Sequence, residues 1–268
     1  MRNLRHPATI AGLVLSLLLL LCACAMPAQR KQPLPTLIIG SDNYRPFNYH
    51  DDDGLPAGID VELAVEACRR MGYTPEFHQI SWDAKDELLA SGEVDCLWGG
   101  FSMNGRESRY QWAGPYMHSL QVVAVPSNST IDKLSDLAGK LVAVQLGSKP
   151  EEMFLTRDES RIPEVKNVYS LVEIDEVIAA MRKNYVDACA GHAAALTQML
   201  ELEGVSYRIL SEPLLRASLG VAFSPDGDSA LCQQLSETFT QMLADGTVQQ
   251  ILEKYGLDAE KALEGIES

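Results

Sequence analysis

Soft metal ligands are scarce in this chain: it has six cysteines and five histidines in 268 residues. Beyond Cys24 the cysteines stand at positions 68, 96, 189 and 232, far apart and in apolar surroundings, with no histidine cluster beside them. That leaves no metal-ligand spacing of the C-x-x-C kind, and no metal site is expected. No P-loop occurs, and no set of nucleophile, base and orienting group stands out, so neither nucleotide hydrolysis nor covalent catalysis is suggested. After Met26 no apolar run reaches the ~20 residues of a spanning helix. Positive charge is also short, with 22 Lys and Arg against 37 Asp and Glu and a formal net charge of −15. So acidic a chain should be repelled by nucleic acid and by anionic lipid headgroups.

What is present begins with Arg2 and Arg5, an apolar run from about Ile10 to Leu21, and no acid until Asp42. This is the layout of an export signal. The stretch Leu21-Cys22-Ala23-Cys24 resembles the lipobox of bacterial lipoproteins, which implies cleavage after residue 23 and a lipid on Cys24. A plain signal peptide, or an uncleaved anchor, is the alternative. Losing Arg2 and Arg5 with residues 1–23 leaves 20 basic residues against 37 acidic, a net charge of −17. The polar, proline-bearing residues up to 35 suit a flexible tether, placing the rest outside the cytoplasm and on the membrane only through lipid. Export permits disulfides. Cys68 with Cys96 is the pair to test, against the reading that these are buried free thiols.

From Thr36 onward short β-rich runs alternate with helical ones, which predicts an α/β fold with largely parallel sheets. TLIIG reads as the first strand and DVELAVEACRRM as a helix with Ala64, Ala67, Cys68 and Met71 on one face and Gly72 as its stop. EFHQI, DAKDELLA and VDCLW complete one unit. LQVVAV, DKLSDL, LVAVQ, PEEMFLT, NVYSL, EVIAAMRK, VDACA and HAAALTQMLELEG form a second, followed by YRIL, LGVAF and helices over 228–244 and about 247–255. The near repetition of GEVDCLWGG and NYVDACAGH predicts two similar lobes, each ending a strand in open backbone. Ligands sit at such strand ends in open α/β sheets.

The segments YRPFNYHDDDGLPAGIDVEL, SGEVDCLWGGFSMNGRE, YQWAGPY, KLSDLAGKLVAVQLGS, NYVDACAGH and MLADGTVQQILEKYG, in that order, resemble the extracytoplasmic solute-binding proteins of ABC importers, in the family that captures polar amino acids. The resemblance covers nearly the whole mature chain. It implies a two-lobed periplasmic-binding-protein fold of type II, with lobe one at 36–117 and 218–268 and lobe two at 118–217. The chain would cross between them near Tyr116–Leu120 and Pro213–Leu219. It also implies a monomer without cofactor, a small-molecule solute, and membrane permease subunits as partners.

Carried over residue by residue, Arg106 resembles the family arginine that forks onto a ligand carboxylate. Gly99 and Gly100 leave room near the backbone, Ser102 adds a hydroxyl, and Gly147 and Ser148 offer amides ahead of a helix. Asp42, Tyr44 and Trp82 match the side-chain pocket, and Trp98 either joins them or lies in the core. Three of them have a plainer alternative: Arg106 pairing on the surface with Glu107 or Asp95, Ser148 only capping its helix, and Asp42 capping the turn before Pro46. Two departures stand out. The chain between Ser102 and Arg106 is one residue shorter than the family pattern, and His192 stands where the family has an acid for the ligand ammonium. Either the solute lacks that ammonium or Asp42 or another acid holds it, or His192 merely caps the next helix. The same fold also occurs in periplasmic dehydratases, where His192 would be an acid or base, and in sensor modules, so a catalytic and a receptor reading stand beside the transport one.

Overall fold

The computed structural model describes residues 33–157 and 160–267. The expected signal peptide, Cys24 and most of the tether lie outside the described residues. The run TLIIGS forms β1 (Thr36–Ser41), with Leu37 and Ile39 fully buried on one face of the strand. A small hairpin, β2 (Tyr49–His50) with β3 (Pro56–Ala57), follows. The helix α1 (Ile59–Met71) buries Leu63, Ala64, Ala67 and Cys68 and leaves Met71 half-buried. It stops at Gly72, whose φ of 77° is the left-handed C-cap that glycine adopts without strain.

Strand β4 (Thr74–Gln79) pairs parallel with β1. A 3-10 turn at Trp82–Ala84 then leads into α2 (Lys85–Ser91), and β5 (Cys96–Leu97) pairs parallel with the other side of β1. The chain next runs through β6 (Gln111–Pro126), sixteen residues long. The predicted helix DKLSDL is only a 3-10 turn at Leu134–Leu137. The Asp136 carboxylate there accepts from the backbone N–H groups of Asp132 and Lys133 and caps the start of the turn, while the chain leaves helical geometry at Ala138, with a ψ of 123°, and at Gly139, with a φ of 70°.

The second unit comprises β7 (Leu141–Gln145), α3 (Lys149–Thr156), β8 (Asn167–Leu171), α4 (Ile174–Arg182), β9 (Ala188–His192) and α5 (Ala193–Leu202). In it β7 pairs parallel with both β8 and β9. After β10 (Tyr207–Ile209), β11 (Leu215–Phe223) returns antiparallel along β6 and ends against β5. The helices α6 (Ser229–Ala244), α7 (Thr247–Lys254) and α8 (Ala259–Leu263) follow, the last unforeseen in the sequence.

The strand order is β4-β1-β5-β11-β6-β9-β7-β8, with β10 also on β6. Two parallel trios are therefore joined by an antiparallel pair, and the two expected sheets are continuous through β6 and β11. Residues Pro35–Ser268 form one compact unit. One apolar cluster holds Val123, Val125, Val142, Val144 and Phe154, and the largest holds Leu37, Phe47, Trp98, Tyr116 and Phe239. Burial of each such side chain contributes ~1.5–3 kcal/mol. Cys68, Cys96, Cys189 and Cys232 are all buried free thiols, so Cys68 and Cys96 are not bridged.

Candidate functional site

The parallel strands of both units end on one cavity. Asp42 follows β1, Gly99 to Ser102 follow β5, Gln145 ends β7 and His192 ends β9, and all of them line it. Tyr44, Trp82, Arg106, Gln121, Ser148 and Lys149 complete its polar and aromatic wall. The free space is about 30 Å³, room for water rather than for an amino acid, so a solute enters only if the walls part. A larger cavity of about 680 Å³ lies along α5, β6 and α8. Its cations are already neutralised, Arg216 by Glu264 and Lys261 by Asp258. Convergent polar groups, not size, single out the smaller cavity.

The glycines open the strand end. A Cβ on Gly99 would lie 3.3 Å from Cβ of Ser41, and Gly100 has a φ of 60°. The Gly100 N–H donates to Asp60 Oδ2 at 2.7 Å. Asp60, in the first turn of α1, was not foreseen as part of the site. Its only sign in the sequence is an acid on the apolar face of a helix. Burial pushes its carboxyl up to about 7.

Arg106 is 4% exposed. Its Nη2 lies 3.0 Å from Glu152 Oε2, and it reaches the Ser102 and Gly147 carbonyls only at 3.4 and 3.5 Å. Lys149 Nζ meets the other Glu152 oxygen at 2.6 Å. The surface pairing of Arg106 with Glu107 or Asp95 does not occur: Glu107 accepts from Gly105 N–H and Asp95 from Ile38 N–H. Burial lowers the guanidinium pKa, but with five donors and long bonds it keeps capacity for an anion. Ser148 caps α3, accepting from Glu151 N–H at 3.3 Å, while also lining the cavity. Gly147 takes a φ of 74°, and a Cβ there would come within 2.8 Å of Lys85 Nζ.

On the opposite wall, Asp42 Oδ2 accepts from Gln145 Nε2 at 2.6 Å rather than capping the turn before Pro46. Burial pushes its carboxyl up to about 6. Tyr44 stacks on Phe47 with ring centroids 5.9 Å apart, and its hydroxyl accepts from His192 N–H at 3.2 Å. Trp82 packs edge-on against Phe101 at 4.9 Å. Trp98 is outside the cavity: its side chain is fully buried against Tyr116 and Phe239, because the strand-end tryptophan faces α6 instead of the cleft.

His192 occupies the N-cap position of α5 but its ring makes no capping bond. The ring instead spans the cavity floor, with Nδ1 2.9 Å from Ser119 Oγ and Nε2 3.0 Å from the Gly100 carbonyl. Burial holds its pKa down to about 4, so the ring is neutral at pH 7 and offers an ammonium no counter-charge. Sequence reasoning also missed Gln121, Gln145, Lys149 and Glu152. The two glutamines were visible as polar residues in the otherwise apolar runs LQVVAV and LVAVQ. Among the described residues no three His, Cys, Asp or Glu side chains come together to hold a metal.

Residues 37–258 match the bacterial extracellular solute-binding proteins, family 3. A putative amino-acid ABC transporter-binding protein of Vibrio harveyi is 26% identical over 244 residues, covering 89% of this chain and 96% of that protein. A solved ABC uptake transporter substrate-binding protein of Streptococcus pneumoniae, with bound histidine, is 26% identical. It superposes with a TM-score of 0.76 over 84% of this chain and 94% of that one. An ancestral amino-acid-binding protein described as a precursor of cyclohexadienyl dehydratase is 25% identical, with a TM-score of 0.73 over 82% of this chain and 95% of that one.

Proposed function

This chain belongs to family 3 of the bacterial extracellular solute-binding proteins, and from that premise we propose that it captures a small polar carboxylate, an amino acid or a close analogue, for an ABC permease. The observation that carries this reading is Arg106: a buried guanidinium at a strand end, beside Ser102 and the α3 N-terminus, whose ion-pair partner among the described residues, Glu152, is shared with Lys149. A buried cation of this kind is stabilised when a ligand carboxylate matches it. The similar proteins, named as amino-acid-binding components of ABC transporters, support the same assignment.

In this reading residues 36–117 with 218–268 form one lobe and 118–217 the other, and the lobes part by bending near Tyr116–Leu120 and Pro213–Leu219. The protein works as a monomer, without a cofactor, anchored outside the cytoplasm by lipid on Cys24. Palmitate labelling that disappears in Cys24→Ser tests the anchor. Catalysis is disfavoured, because both ring nitrogens of His192 are engaged and the ring is held neutral far below its ordinary pKa.

A thermal-shift screen of the purified protein against amino acids, amines and carboxylates tests the function. A ligand at ~1,000 times its Kd adds ~4 kcal/mol of stability. Stabilisation by a carboxylate solute, lost in Arg106→Ala, is expected. No stabilisation by any carboxylate would overturn the reading.

A further inference from the structure

Among the described residues lining the cleft, Gln121 is the buried polar side chain that the protein leaves half satisfied. It is 2% exposed and stands opposite His192 in the register of β6 with β9. One end of its amide lies 2.8 Å from His192 Nε2 and 3.4 Å from Ser102 Oγ. The other end has no protein partner.

Which end is oxygen follows from the ring. The Gly100 carbonyl, 3.0 Å from His192 Nε2, can only accept. Nε2 therefore carries the proton, and Nδ1 accepts from the Ser119 hydroxyl 2.9 Å away. An amide nitrogen beside Nε2–H would set two donors face to face and leave Oε1 buried without a donor. Turning the amide over removes the clash of donors: the oxygen shares Nε2–H with the Gly100 carbonyl and accepts from the Ser102 hydroxyl, and the NH₂ becomes the end without a protein partner.

We propose that Gln121, oriented by His192 and Ser102, presents its NH₂ to the cleft as a hydrogen-bond donor, and that the solute carries an oxygen acceptor there instead of an ammonium. Ser102 sets where that acceptor lies, because its carbonyl meets Arg106 Nη1 at 3.4 Å while its hydroxyl meets Gln121. The acceptor is thus next to the carboxylate, which makes the solute class 2-hydroxy or 2-oxo carboxylates. An ammonium at that seat would face a donor and a neutral ring, since the one acid among the lining residues, Asp42, is bonded to Gln145 and not to Gln121, His192 or Ser102. This inference rests on the reading that Arg106 holds a carboxylate.

Calorimetry with matched trios tests it: alanine, lactate and pyruvate; phenylalanine, phenyllactate and phenylpyruvate; glutamate, 2-hydroxyglutarate and 2-oxoglutarate. An oxygen member should bind roughly 10-fold or more tighter than its amino acid, the factor that one mismatched buried hydrogen bond gives. Gln121→Glu should reverse the order, and Gln121→Met, which keeps the volume without the donor, should bring the ratio near one. Tighter binding of an amino acid that still needs Arg106 would overturn the inference and leave the carboxylate reading intact. An unchanged ratio in the folded Met variant overturns it as well. No binding by any member, alongside no carboxylate hit in the thermal screen, defeats both.

Discussion

The carboxylate of Asp42, just past β1, accepts a 2.6 Å hydrogen bond from the amide of Gln145 at the end of β7, tying the strand ends of the two units together across the cleft. Both side chains are buried, and the Asp42 carboxyl is pushed from 3.8 up to about 6, chiefly by that burial.

A carboxyl whose folded pKa is raised contributes stability that is fully present below the unfolded value and lost as pH rises through the folded one. Between pH 4 and 7 Asp42 should therefore remove about 3 kcal/mol. Asp42→Asn, which can still accept from Gln145, is expected to melt above the parent at pH 7 and level with it near pH 4. Equal differences at the two pH values would show that the carboxyl does not titrate in this window.

Arg106 and Glu152 are expected to act on affinity with opposite signs. Arg106→Ala should weaken carboxylate binding by roughly 100-fold or more, the worth of a buried charged hydrogen-bonded pair. Arg106→Lys should not restore it, since an ammonium lacks the planar fork. Glu152→Gln removes the internal competitor and should tighten binding several-fold. Calorimetry decides; weaker binding by Glu152→Gln would mean that Glu152 orients the arginine instead.

Ligand-dependent fluorescence should come from one of the three tryptophans. Trp82 lines the cleft while Trp98 sits in the core. Trp82→Phe is expected to lose the emission change on binding. Trp98→Phe should keep it and lower stability by about 1–3 kcal/mol. Retention of the signal in Trp82→Phe would place the ligand elsewhere.

Alkylation without prior reduction reports the thiols. Burial raises the pKa of Cys68 to about 11 and of Cys189 to about 12, and that of Cys96 well above the usual thiol range. Native protein should therefore label slowly at all three. In denaturant the peptides carrying Cys68 and Cys96 should be fully alkylated. Peptides that label only after reduction would reveal a disulfide.

Local elements were readable because their causes are local. The period of TLIIGS, the apolar face of α1 and the stop at Gly72 depend on residues a few positions apart. DKLSDL stays a single 3-10 turn because the chain leaves helical geometry at Ala138, just ahead of Gly139 with its φ of 70°. The small β2–β3 hairpin and α8 escaped because their short runs carry too little pattern.

By itself the sequence determined the alternating α/β order, the glycine-opened strand ends at 99–100 and 147, and the arginine set just beyond the first of them. Only the tertiary structure decided that Trp98 turns into the core, that Glu152 and Lys149 meet at Arg106, and that Gln121, Gln145 and His192 reach across the cleft. The physical reason is range: backbone pattern is set by neighbours in the chain. The pairing of buried polar groups such as Gln121 with Ser102, or Asp42 with Gln145, depends on partners 19 and 103 positions away.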